Sequence, residues 1–322
     1  MTRRTLTITT LAAALAAGMP ALAEYPERPI TLIVPWDAGG GTDAVGRILA
    51  EGLSEELGTP VNVVNRSGAG GIVGHNAMIE AEPDGYTLGL ATAEITTYAA
   101  IGTAEIGAAD LTPIGLVNFD ASAFNVSSDS EWTDAIAALD AIRAAPRTYK
   151  ASGFPVGAAY HLAFANFLNA NGVDPTAVTV VPSQGAAPGF QELASGGVAI
   201  VPSSLPEAAS MRDAGIVKTL AVLADERLEA YPDVPTAEEA TGVASVGGTW
   251  RGVVGPAGLP GEVADRVEAA LSSVVESAAF EEFMASRGFG IRWLPADEFA
   301  SFMTEAETGN AEVIEKLGLA QQ

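Results

Sequence analysis

Residues 30–57 read ITLIVPWDAGGGTDAVGRILAEGLSEEL, and the order of residue types in this stretch decides the fold. Ile30 through Val34 form a continuous apolar run stopped by Pro35, the pattern of a strand buried on both faces. Gly39, Gly40 and Gly41 then make a turn, and Thr42 and Asp43 favour a helix N-terminus. Val45, Ile48, Leu49, Leu53 and Leu57 recur at helical spacing until Gly58 and Pro60 end the helix. The same unit repeats at once, with strand 61–64, the glycine turn Gly68-Ala69-Gly70-Gly71 and helix 72–81. Pro83-Asp84-Gly85 turns the chain into strand 86–91. This β-α-β-α-β run predicts a doubly wound α/β sheet.

The alternation continues downstream. Helices are expected over 134–145, 158–170, 188–195 and 206–214, between strands at 149–152, 178–181, 198–201 and 218–223. Thr236-Ala237-Glu238-Glu239 has the form of a capping box. Strand 251–254, helix 261–278, strand 290–294 and helix 297–316 complete the chain. Chain crossings fall near 119–126 and 246–253. They predict two lobes with a cleft between them, each a sheet flanked by helices. Residues 24–122 with 250–322 form the first lobe, and 123–249 the second.

The chain has 322 residues, 48% of them hydrophobic, enough for two cores at roughly 150 residues per domain. Forty acidic residues against 16 basic ones give a net charge of −24, and only Lys150, Lys218 and Lys316 are lysines. Such a surface repels phosphate backbones and anionic membranes, which excludes a nucleic-acid partner. The absence of cysteine removes disulfides, thiolate metal sites and cysteine nucleophiles.

Residues 1–23 read as a secretion signal: Arg3 and Arg4, an apolar Ala-rich run over 6–19, then Ala21-Leu22-Ala23 as a cleavage sequence. Cleavage before Glu24 removes the two arginines and takes the net charge from −24 to −26. The chain is therefore expected to be secreted. Both the general secretory route and the twin-arginine route fit the paired arginines.

A glycine turn feeding a helix exposes unpaired N–H groups at the positive end of the helix dipole, which suits an anion. Two such turns occur within the first three strands. Gly39-Gly40-Gly41-Thr42-Asp43-Ala44 also fits a dinucleotide fingerprint. The second strand ends in Asn65-Arg66, without the acidic residue that would hold a ribose, so no cofactor is assigned. No P-loop and no nucleophile elbow occur.

Several linked motifs run in order along the mature chain: Tyr25-Pro26-Glu27-Arg28-Pro29-Ile30, Ile33-Val34-Pro35-Trp36, Val63-Val64-Asn65-Arg66-Ser67-Gly68, Pro83-Asp84-Gly85-Tyr86 and Gly255-Pro256-Ala257-Gly258. In these the sequence resembles the substrate-binding proteins of tripartite tricarboxylate transporters, the Bug or TctC type of periplasmic receptor. The resemblance implies a two-lobed, Venus-flytrap periplasmic-binding-protein fold with two crossing strands as hinge. It implies a monomer that takes a small carboxylate and delivers it to a permease of one large and one small membrane subunit. A di- or tricarboxylate, an aromatic acid or an amino acid all fit that class.

By position, the resemblance implies ligand contacts at Trp36, Asp37, Gly39, Gly40, Gly41, Thr42 and Asp43, at Ala69 and Gly70, and at Thr92, Ala93 and Glu94. In the second lobe it points to Ser152, Gly153, Phe154, Val156, Gly157 and His161, with Ser183, Gln184 and Gly185. Trp36-Asp37-Ala38 and Phe154-Pro155 depart from the family pattern, so the ligand itself does not carry over. Asp37 and Glu94 place carboxylates where an anion is expected, which suits a ligand that also carries a hydroxyl or amine donor. Trp36, Trp250 and Phe154 are candidates to wall the cleft, or to pack in the cores. His75 and His161 lack metal-ligand spacing and read as hydrogen-bonded helix residues, so no metal is assigned. A secreted hydrolase or lyase on the same scaffold is the alternative, but no activated nucleophile or acid–base pair is legible. Gly40→Val is expected to close the anion turn, because a β-branched side chain there would block approach to the N–H groups.

Overall fold

The computed structural model describes residues 25–183 and 185–320. The secretion signal, its cleavage point before Glu24, and Gln184 lie outside the described residues.

Strand β1 (Ile30–Val34) leads through helix α1 (Gly41–Leu57) to β2 (Val61–Asn65), and α2 (Ile72–Ile79) leads on to β3 (Thr87–Thr92). Both β2 and β3 pair with β1 in parallel, as the alternation predicts. A short α3 (Tyr98–Ile101), absent from the sequence reading, precedes β4 (Leu111–Ser127). In β4 the 119–126 crossing proves to be the end of a 17-residue strand.

Then follow α4 (Ala135–Ala144), β5 (Lys150–Ala151), α5 (Ala159–Ala170), β6 (Thr179–Val180) and α6 (Ala186–Ala194). Strand β7 (Ile200–Ser204), α7 (Leu205–Asp213), β8 (Val217–Val222) and α8 (Ala237–Thr241) complete the second unit. The chain returns through β9 (Gly248–Pro256) to α9 (Gly261–Val275), α10 (Ala278–Arg287), β10 (Ile291–Pro295) and α11 (Ala296–Leu317). The helix expected over 261–278 is α9, which stops at Val275, and α10 is a further helix that the sequence reading lacks. Ser277 restarts the chain as an N-cap, its hydroxyl accepting from Phe280 N–H at 3.3 Å.

Two sheets share one strand. The first runs β2-β1-β3-β9-β4, with β10 also on β4. The far end of β4 then pairs with β7 and β8, and β7-β5-β6 completes the second sheet. The return crossing lies beside it, where Ser122 N–H donates to Gly247 carbonyl at 2.8 Å. Each sheet has its own core. Leu32 and Val34 pack with Leu49, Leu53 and Leu271 in the first, and Phe124 packs with Leu139, Phe164 and Phe167 in the second. Helix α11 spans both, since Val313 and Ile314 near its end pack on Leu162 and Ala165 of α5. No helix among the described residues is long and apolar enough to cross a membrane.

Candidate functional site

Because β1, β2 and β3 are parallel neighbours, their C-terminal ends open on one edge, where ligands collect in α/β sheets. The first turn is locked by Asp43. Its carboxylate accepts from Gly39 N–H at 2.8 Å, from Arg47 Nε and Nη2 at 2.9 Å each, and from Asn65 Nδ2 at 2.9 Å. The Arg47 hydrogen bonds, aided by those of Gly39 and Asn65, hold its pKa down to about 2. Asp43 was expected among the ligand contacts, yet both its oxygens are engaged within the turn. Gly39 likewise commits its N–H, at a left-handed φ of 86°. Gly40 is the N-cap of α1 and no side chain caps the helix, so Gly41, Thr42 and Asp43 present N–H groups without intrahelical acceptors. Asp37 is exposed at the rim.

The second turn is a left-handed run, with φ of 136° at Gly68, 48° at Ala69, 65° at Gly70 and 95° at Gly71. Successive backbone groups in such conformations form an anion-binding concavity. Its carbonyls are held from behind: Tyr98 donates to Gly70 carbonyl at 2.8 Å, and His75 Nδ1 meets Gly71 carbonyl at 3.0 Å. His75 Nε2 accepts from Thr92 N–H at 3.2 Å, which puts its proton on Nδ1 and ties this turn to the end of β3. Trp36 Nε1 donates to Thr92 Oγ1, and Thr92 Oγ1 donates to Glu94 Oε2 at 2.7 Å. Ala93 is buried between them. Burial raises the Glu94 carboxyl above the ordinary carboxylate range, against the opposing pull of Thr92 and Arg251.

In the second sheet β5 is parallel to β6 and β7, so the loops after these strands also share an edge. Ser152 and Gly153 are buried there, and Ser152 Oγ has no partner among the described residues. Ser183 Oγ donates to Gly185 carbonyl at 3.0 Å. Gly157 N–H donates to His161 Nδ1 at 2.9 Å, and Val156 is exposed. A Cβ on Gly157 would come within 2.8 Å of Ile101 Cδ1, so the second-sheet loop before α5 lies close against α3, which follows β3.

Phe154 and Trp250, candidates for wall or core, both pack in cores, and Trp250 also borders the cavity between α5 and α11. Phe154 is 1% exposed and stacks on His161 at 5.1 Å, within the second core. Trp250 is 3% exposed and packs edge-on against Phe299 beneath α11. Side chains alternate along a strand, so Trp250 turns toward α11 while Arg251 turns toward the glycine turns.

The residues that sequence reasoning missed lie at this centre. Arg251 is 8% exposed; its Nε donates to Thr42 Oγ1 at 3.0 Å, and its Nη1 to Asn118 and to Asp120 Oδ2, the latter at 2.7 Å. Across the gap Tyr160 faces Glu207, Ser204 and Asp120. Burial pushes both the Tyr160 hydroxyl and the Glu207 carboxyl up. In the sequence Arg251 appears only as the first residue of the expected strand 251–254. Thr42, 209 positions away, carries no signal that they meet. A cavity of 590 Å³ borders this cluster through Asp120, Ser204, Phe289 and Gly290. A second, of 380 Å³, opens on the opposite side of β9, between α5 and α11, away from both glycine turns.

The two histidines set an acid limit on stability. Burial pushes each from an ordinary 6.5 down to about 4. The folded state therefore binds fewer protons than the unfolded chain between those values. Their contribution is whole above pH 6.5, declines as pH falls, and levels off below about 4. Each histidine should add a slope of about 1.4 kcal/mol per pH unit in that window. Urea unfolding of the wild type and His75→Gln across pH 4 to 7 checks this, and equal slopes would refute the assignment to His75.

Residues 45–319 match the family model described as the tripartite tricarboxylate transporter family receptor. The chain belongs to that family. A UPF0065 protein of Bordetella pertussis is 30% identical over 318 residues, covering 98% of this chain and 97% of the relative. A TctC solute-binding protein from Polaromonas superposes with a TM-score of 0.81 at 30% identity, over 91% of this chain and 99% of the other. Two structures from Rhodopseudomonas palustris are each 25% identical. One holds malate (TM-score 0.71, 90% of this chain and 100% of that one), the other adipate (TM-score 0.76, 92% and 99%). The family and these neighbours are solute-binding receptors, not enzymes, and the mixed α/β fold is theirs.

Proposed function

We propose that this protein captures a small carboxylate between its two sheets and hands it to a membrane permease of one large and one small subunit. The observation that carries this reading is the convergence of the uncapped N-terminus of α1 and the left-handed second turn on one sheet edge, with a loop of the other sheet lying close against α3. Carboxylates in two related receptors support it. Gly40, Gly41, Thr42, Ala69 and Gly70 supply the main-chain and hydroxyl donors. Trp36, Asp37, Thr92, Ala93 and Glu94 rim them, while Ser152, Gly153, Val156, Gly157, Ser183 and Gly185 close from the second lobe.

In this reading residues 24–122 with 250–322 move as one lobe and 123–249 as the other, bending where β4 and β9 cross. The mature protein starts near Glu24 and works as a periplasmic monomer. Titration calorimetry against malate, adipate and a wider carboxylate panel tests the binding, and small-angle scattering tests closure. Saturable heat with a smaller radius of gyration is expected. A panel without heat or thermal shift would overturn the reading.

The mature net charge of −26 adds a kinetic expectation. A dianionic ligand is repelled at long range, so its association rate should rise with added salt as repulsion is screened. Stopped-flow tryptophan fluorescence reads that slope, and a falling rate would mean that local positive charge dominates the encounter.

A further inference from the structure

We propose that Arg251 is the charged anchor of the cleft, its Nη2 donating to the ligand carboxylate beside Gly41. This rests on the receptor reading above and adds to it a side chain outside the glycine turns. Arg251 carries five N–H donors. Nε is committed to Thr42, and Nη1 to Asn118 and Asp120. Nη2 has no acceptor among the described residues, although the residue is only 8% exposed. It lies 3.3 Å from where a Cβ on Gly41 would stand, at the first residue of α1.

A guanidinium donor, the Gly41 and Thr42 N–H groups and the helix dipole therefore meet at one point. The side chain is held for this role. Thr42 and Asp120 fix two of its nitrogens, Phe289 lies along it with its ring centre 5.4 Å from Cζ, and Asp120 is itself braced by Gly290 N–H at 2.9 Å. Asp120 balances the charge, which lets the arginine stay buried when the cleft is empty. A second feature points into the same cluster. Ser122 alternates with Asp120 onto the same face of β4, and its Oγ is buried without a partner among the described residues. A buried hydroxyl left without a protein partner suits ligand or water in that space.

Two measurements test the anchor, and one of them needs no variant. Crystals of the wild type grown in sodium bromide should show anomalous density within hydrogen-bond distance of Arg251 Nη2. Bromide bound elsewhere with none at Nη2 overturns the proposal. With adipate as probe, Arg251→Gln should bind about 10- to 100-fold more weakly than the wild type, the loss of a charge-assisted hydrogen bond. Arg251→Lys keeps the charge without the fork and should fall between them. Arg251→Gln leaves Asp120 unbalanced; should it fail to fold, Arg251→Lys and the bromide map decide. An unchanged adipate affinity in a folded Arg251→Gln overturns the anchor and leaves the receptor reading standing. Bromide at Nη2 in a wild type that binds no carboxylate supports the anion site and sinks the receptor reading.

Discussion

Gly41→Val is expected to weaken carboxylate binding by about 100-fold or more, through loss of two charge-assisted hydrogen bonds at about 1.5–3 kcal/mol each. A Cβ at this position would stand 3.3 Å from both Arg251 Nη2 and Phe289 Cζ, and the two γ carbons of valine would press further. The guanidinium must swing away from the turn, or the first turn of α1 must lift. Either movement separates donors that have to meet on one carboxylate. Overpacking should also reduce stability by about 1–3 kcal/mol, which leaves the protein folded.

Gly40 is different. Its φ of −79° is open to any residue, and a Cβ there meets only Asp37 carbonyl at 3.4 Å. Nothing in the protein forbids valine at 40, so any block by Gly40→Val must act from the ligand side, with little change in melting temperature. Calorimetry with adipate and thermal melts of both variants separate the two faces of the turn. Full affinity in Gly41→Val would mean that the carboxylate sits elsewhere.

These two glycines mark how much was legible beforehand. The apolar run of β1, the glycine turn and the periodicity of α1 are local features, and their reading needs only a few neighbouring residues. The order of parallel strands follows from them, and with it the edge on which both turns open. Helix α10 escaped because its start is marked by one cap, Ser277, inside a run of helix formers. Phe154 and Trp250 were candidates for the cleft because aromatic residues serve walls and cores equally well. Only the alternation of β9 against α11 assigns Trp250 inward. The polar centre was hidden for another reason. Asn118, Asp120 and Arg251 come from the two strands that cross between sheets, and register rather than pattern brings them together.

That register makes a second large effect testable. Asp120→Ala should destabilise the protein by about 3–5 kcal/mol, the usual cost of leaving one member of a buried ion pair alone. Asp120 is 5% exposed, and one carboxylate accepts from Arg251, from Asn118 Nδ2 at 3.0 Å and from Gly290 N–H. It therefore joins β4, β9 and the start of β10 at the point where the chain passes from one sheet to the other. Replacing both partners, as in Asp120→Ala with Arg251→Met, removes the stranded charge and should recover much of that loss. The pair is then worth little to folding as such. The double variant should still fail to bind adipate, because the reason to bury an arginine at this crossing is its remaining nitrogen. Urea unfolding of both single variants and the double gives the coupling energy, and calorimetry on the same samples gives the affinity. A double variant that is stable and binds like the wild type would reduce the cluster to a strut.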